Sequence, residues 1–126
     1  MPDKPTNDEL LKLASEVLAI ESRAVDALRD RLGDEFIAAC KLCLETPGRI
    51  VVSGMGKSGL IGAKISATFS SVGLPSNVLH PAEAVHGDLG RIRREDVVLL
   101  LSYSGTTEEV LNLAAILKAD GVRRIG

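Results

Sequence analysis

The spacing of apolar residues changes partway along the chain. Early on they recur at helical intervals: Leu11, Ala14, Leu18, Val25, Leu28 and Leu32 share one stripe, broken only by Glu21. Thr6 and Glu9, behind Pro5, form a capping-box pair at its start, and Gly33 ends it. A second helical segment follows. Asp34 is placed to cap it, it carries Phe36, Ile37, Cys40 and Leu44, and it stops at Thr46-Pro47-Gly48. Beyond that point short apolar runs alternate with helical patterns. Strands are predicted over 49–53, 76–79, 97–101 and 122–125. Helices are predicted over 58–72 and 107–119, with a helical turn at 82–85 inside an otherwise irregular segment, 80–94. The unbroken run from Val97 to Leu101 suits a parallel strand covered on both faces.

Strands joined by helices imply right-handed crossovers and hence an α/β fold, a three-layer αβα doubly wound parallel sheet. Two helices lead into four strands, which divides the chain into a helical extension, 1–48, and an α/β part, 49–126. In the flavodoxin-like order 2-1-3-4 the first and third strands meet at the topological switch point, and a ligand crevice lies beyond their carboxyl ends. Two loops land there, Gly54–Gly59 and Ser102–Thr107, both rich in glycine and hydroxyl residues.

Composition narrows the partners. A net charge of −2 gives no support for nucleic acid or an acidic membrane surface, and 2% aromatic residues leave little for stacking bases. The polar start, Met1 to Asp8, has no apolar signal-peptide core, and no apolar run is long enough for a membrane span. A soluble, cytoplasmic protein is expected. Cys40 and Cys43 make a C-x-x-C inside a predicted helix, with no second pair, which reads as core packing.

Candidate chemistry begins at Val51-Val52-Ser53-Gly54-Met55-Gly56-Lys57-Ser58-Gly59. A glycine turn between a strand and a helix N-terminus is an anion site, because free N–H groups and the helix dipole both favour negative charge. Lys57 and Ser58 add a cation and a hydroxyl. Gly54-x-Gly56-x-x-Gly59 formally matches a dinucleotide fingerprint, but the second strand ends in Leu79-His80-Pro81 without the acid that holds a ribose, so that reading is disfavoured. A P-loop is excluded, because Val51 stands where its first glycine belongs. Ser102-x-Ser104-Gly105-x-Thr107 puts three hydroxyls at another helix mouth, more than capping needs. Glu109 has two readings that spacing does not separate: a capping box with Thr106, or a general base facing the crevice. His80, Glu83, His86 and Asp88 cluster in the irregular segment. His80 and His86 are the candidates for a metal, but their spacing matches no strong ligand signature and no metal is expected.

With these segments in place, the chain resembles the SIS (sugar isomerase) domain and, within it, the arabinose-5-phosphate isomerase family. The resemblance is carried by Gly54-Met55-Gly56-Lys57-Ser58-Gly59, by the run His80-Pro81-Ala82-Glu83-Ala84-Val85-His86-Gly87-Asp88-Leu89-Gly90, and by Ser102-Tyr103-Ser104-Gly105-Thr106-Thr107-Glu108-Glu109. It implies interconversion of ribulose 5-phosphate and arabinose 5-phosphate through an enediolate, without a cofactor, supplying the Kdo sugar of lipopolysaccharide. It implies catalytic roles for Lys57, His86 and Glu109, and substrate binding by Gly56, Ser58, Ser102, Ser104 and Thr107. The roles assigned are Glu109 as acid/base, Lys57 as electrostatic stabiliser, and His86 in ring opening or proton shuttling. Tyr103 departs from the pattern, since this branch commonly has Asn there. Family members also continue through a fifth strand, with a further catalytic Glu and a His, and usually a pair of CBS domains. The expectation is therefore a chain cut within the SIS domain that associates as a homo-oligomer and is weakly active or inactive alone. The alternative is a non-catalytic SIS module that binds a sugar phosphate or nucleotide sugar.

Overall fold

Thr6 opens the first helix as the spacing predicts. In the computed structural model, which describes residues 4–126, α1 runs Asn7–Ala27. Thr6 Oγ1 accepts from Glu9 N at 3.3 Å, and the Glu9 carboxylate accepts from Thr6 N at 2.7 Å, closing the capping box. The reading of Met1–Asp3 as part of a polar start lies outside the described residues. The stripe does not stay α-helical to Leu32. It tightens into a 3-10 turn, Leu28–Arg31, whose end is closed by Leu32 N donating to Arg29 O at 3.3 Å. Such tightening serves carbonyls that lack a partner in the last turn. α2 spans Asp34–Glu45. Asp34, expected as its cap, is instead the first helical residue, where its charge still favours the helix dipole.

Two compact units are formed, Met1–Ile37 and Ala38–Gly126. In the first, no described residue of α1 is buried; Leu11, Leu18 and Val25 are 71%, 68% and 67% exposed. The second contains the sheet. β1 (Ile50–Gly54), β2 (Ser76–Leu79), β3 (Val97–Leu101) and β4 (Arg123–Ile125) are all parallel, in the order β2-β1-β3-β4 that the sequence implies. α3 (Gly56–Ser71), α4 (Pro81–Ala84) and α5 (Glu108–Ala119) complete it. A 3-10 turn, Asp88–Arg91, occupies part of the segment read as irregular.

β1 and β3 are central and bury side chains on both faces. On one face α3 lies so close that a Cβ on Gly62 would meet Val52 Cγ1 at 3.0 Å. On the other, Val51, Leu79, Val98 and Leu100 pack with Ala84 of α4 and with Val110, Leu113 and Leu117 of α5. Burying a leucine such as Leu113, which has no exposed surface, contributes about 1.5–3 kcal/mol. These are the three layers.

The amino ends of the strands are tied by a polar cluster that the apolar pattern does not announce. Asp96 is 1% exposed and accepts from Arg49 N and Arg93 N, each at 2.8 Å. Arg123 Nη2 donates to Glu95 O at 2.9 Å and to Thr46 Oγ1 at 3.1 Å. Thr46 Oγ1 in turn donates to Glu95 O at 2.6 Å. The segments that enter β1, β3 and β4 are thereby held together at the end of the sheet opposite the glycine turn. Both Asp96 oxygens are satisfied, as a buried carboxylate requires.

Candidate functional site

β2, β1 and β3 end side by side at one edge of the sheet. Ser53 is in register with Leu79 and Gly54 with Leu101. The histidine segment, the glycine turn and the hydroxyl loop therefore leave from three neighbouring strand ends. Ser53, fully buried, donates from Oγ to Leu79 O at 2.6 Å and ties the first two together. Sequence reasoning passed over Ser53; the available signal was a single hydroxyl interrupting the apolar run of β1.

The glycine turn is tighter than expected, because α3 begins at Gly56 rather than Ser58, with Met55 as its N-cap. Gly56 has φ +55°, where a side chain costs about 1–2 kcal/mol. Gly59 lies so near Gly54 that a Cβ on it would meet Gly54 O at 2.5 Å. With Gly59 N donating back to Met55 O at 3.3 Å, the N–H groups of Gly56, Lys57 and Ser58 form the open mouth of the helix. Lys57 is exposed in this first turn, which holds no acidic residue. A cation here opposes the helix dipole by about 0.3–1 kcal/mol, and a bound anion reverses that penalty.

In the hydroxyl loop, Thr107 is the N-cap of α5 but its side chain makes no capping bond. Its Oγ1 instead pairs with Ser102 Oγ at 3.0 Å, and Ser102 Oγ accepts from Gly105 N, also at 3.0 Å. Ser104 Oγ accepts from both Thr106 N and Thr106 Oγ1 at 3.1 Å. The hydroxyls bond to one another and to loop amides, leaving the first N–H groups of α5 without a side-chain acceptor. The capping box, one of the two readings of Glu109, does not form: α5 takes Thr107 as its N-cap, and the Thr106 hydroxyl is turned to Ser104. Glu109 sits exposed in the first turn of α5. Tyr103, at the loop's tip, is fully exposed.

α4 starts at Pro81, one residue before the expected turn, and His80 is its N-cap: Nδ1 accepts from Ala82 N at 3.2 Å. That gives one of the two candidate histidines a structural task. His86 is exposed, its backbone N–H donating to Glu83 O at 3.0 Å. Asp88 pairs with Arg91 at 3.5 Å. Among the described residues no three His, Cys, Asp or Glu side chains are placed to hold one metal ion. α4 packs against α5, which brings the start of the histidine segment to the side of the hydroxyl loop. Cys40 and Cys43 are free and half-buried. Burial, helped by Cys40, raises the Cys43 thiol above its ordinary value of 9.0, so it stays protonated and poorly nucleophilic at neutral pH.

The geometry therefore offers two helix mouths after adjacent strands, one with a lysine and one with two hydroxyl pairs; an exposed glutamate stands in the first turn of the second helix and an exposed histidine in the segment after β2. Such a set suits a phosphate-bearing ligand and proton transfer beside it.

Residues 44–126 match the SIS domain family. Arabinose 5-phosphate isomerase KdsD of Pseudomonas aeruginosa is 49% identical over 119 residues, which is 94% of this chain and 36% of that protein. Arabinose 5-phosphate isomerase GutQ of Escherichia coli K12 is 47% identical over 104 residues, 82% of this chain and 32% of that protein. The chain thus spans about a third of the length of these curated relatives. A solved E. coli CFT073 protein in complex with A5P has the same fold, with TM-score 0.88 and 40% identity over 95% of this chain and 64% of that one. Among the described residues no helix is long and apolar enough to cross a membrane.

Proposed function

The chain belongs to the SIS domain family, and on that ground we propose that its strand-end crevice binds a sugar phosphate and interconverts ribulose 5-phosphate and arabinose 5-phosphate. The observation that carries this reading is Lys57. It stands in a helix first turn with no acid to balance it, next to a hydroxyl loop on the adjacent strand. An unbalanced cation at a positive helix end is a cost that a bound phosphate offsets.

In the proposed reaction Gly56, Ser58, Ser102, Ser104 and Thr107 hold the phosphate and sugar hydroxyls. Glu109 takes the proton from the carbon beside the carbonyl and returns it to the neighbouring carbon, and Lys57 stabilises the enediolate charge between those steps. His86 opens the ring or shuttles protons between oxygens. No cofactor enters, since only protons move. The reaction would supply arabinose 5-phosphate for Kdo and lipopolysaccharide synthesis in the cytoplasm. Residues 1–48 are read as a helical extension to the SIS part, 49–126. Assembly into a homo-oligomer is part of the same reading, supported by the exposed apolar stripe of α1.

A ligand panel tests it. Arabinose 5-phosphate should raise the thermal midpoint and NAD should not; at a hundredfold excess over Kd the stabilisation is about 2.7 kcal/mol. Coupled turnover of ribulose 5-phosphate in protein that binds then separates an isomerase from a binding module. No shift with arabinose 5-phosphate would overturn the site, while binding without turnover would leave a binding module.

A further inference from the structure

Thr106 lies between the hydroxyl residues of the loop and has no role in the scheme above. Its hydrogen bonds give it one. A hydroxyl oxygen has two acceptor lone pairs and one proton. Ser104 Oγ accepts from Thr106 N and from Thr106 Oγ1, each at 3.1 Å. Both lone pairs are then occupied, and the single O–H proton is left to be given away. Accepting two bonds also polarises that hydroxyl and strengthens the bond it donates.

Ser102 is treated differently. It accepts one bond, from Gly105 N at 3.0 Å, and shares a proton with Thr107 Oγ1 at 3.0 Å. Ser102 and Thr107 therefore keep some freedom to accept or donate, as contacts to a sugar hydroxyl require. Ser104 alone is committed to donating, and what takes only donors is an anion.

We infer that Thr106 is a positioning residue that holds Ser104 as a dedicated hydrogen-bond donor to the phosphate of a sugar phosphate. The inference rests on the phosphosugar reading of the crevice. Thr106 is exposed and its hydroxyl makes no other bond among the described residues, so its removal should leave the fold intact.

Titration of wild type, Thr106→Val, Thr106→Ser and Ser104→Ala with arabinose 5-phosphate tests the inference, with the thermal midpoint followed in each. Valine keeps the branched shape and loses the hydroxyl. Thr106→Val should bind about three- to tenfold more weakly at an unchanged midpoint, the worth of one neutral hydrogen bond. Thr106→Ser, which keeps the hydroxyl, should bind like wild type. In the Ser104→Ala background Thr106→Val should add nothing, because it acts through Ser104. Where turnover is measurable, KM should rise with kcat unchanged. Wild-type affinity in Thr106→Val, or an undiminished loss in the Ser104→Ala background, would overturn the inference. If the wild type fails to bind arabinose 5-phosphate, the crevice reading falls and this inference falls with it. A wild type that binds beside an unaffected Thr106→Val removes only the inference.

Discussion

Lys57 and Glu109 stand in the first turns of helices that follow neighbouring strands, with opposite electrostatic consequences. Glu109 lies where a carboxylate is favoured, at the positive end of α5, and nothing about its stability asks for a ligand. Lys57 lies where a cation is disfavoured. The proposed chemistry gives them separable signatures. Glu109→Gln should lower kcat by about 10²–10⁴-fold while leaving affinity for arabinose 5-phosphate near wild type, since only the proton transfer is lost. Lys57→Met should weaken binding as well as turnover, because the charge it removes attracts the phosphate. Full turnover in Glu109→Gln would show that another group is the base. At this scale the sequence was informative about residue types and less so about partners. Thr106 and Glu109 have capping-box spacing, yet α5 takes Thr107 as its N-cap and the Thr106 hydroxyl bonds to Ser104.

The helices were legible where their ends are local. The capping box at α1 needs only Thr6 and Glu9, and it forms as spacing predicts. It also makes that helix end sensitive to pH. The bond from Thr6 N, then that from the Thr6 hydroxyl, lowers the Glu9 carboxyl below its ordinary value of 4.5. The ionised form is favoured in the folded state, so the cap's contribution is present above 4.5 and is lost as pH falls through the lowered value. The helical content of the first turn of α1, read from its Cα chemical shifts, should accordingly fall on acidification below 4.5. Glu9→Gln should flatten that dependence, since the glutamine does not titrate over this range. An unchanged acid response in the variant would assign it elsewhere. The start of α3 was less legible, two residues earlier than read, because Gly54 and Gly59 approach where a Cβ would not fit and Gly56 turns the chain at φ +55°.

For the molecule as a whole, sheet order and layer assignment follow from alternation and apolar runs, and the parallel order β2-β1-β3-β4 is the one expected. What covers α1 does not follow. Leu11, Leu18 and Val25 recur every seventh residue and are all largely exposed, a spacing that suits a seam against another helix. If that seam makes the proposed homo-oligomer, a Leu11→Gln, Leu18→Gln double variant should shift the light-scattering mass toward the monomer with the sheet unit still folded. An unchanged mass would place the contact elsewhere.

By itself the sequence determined the α/β class, the strand order, the three loops at one sheet edge and the family, because each rests on local period, turn residues or contiguous motifs. Tertiary structure decided what depends on distant residues meeting. It set the polar cluster in which Asp96 holds Arg49 and Arg93 while Glu95 O holds Thr46 and Arg123, and the Ser53 bond to Leu79 that joins two loops. Those bonds form between strands whose register is fixed only once the core of both layers is packed.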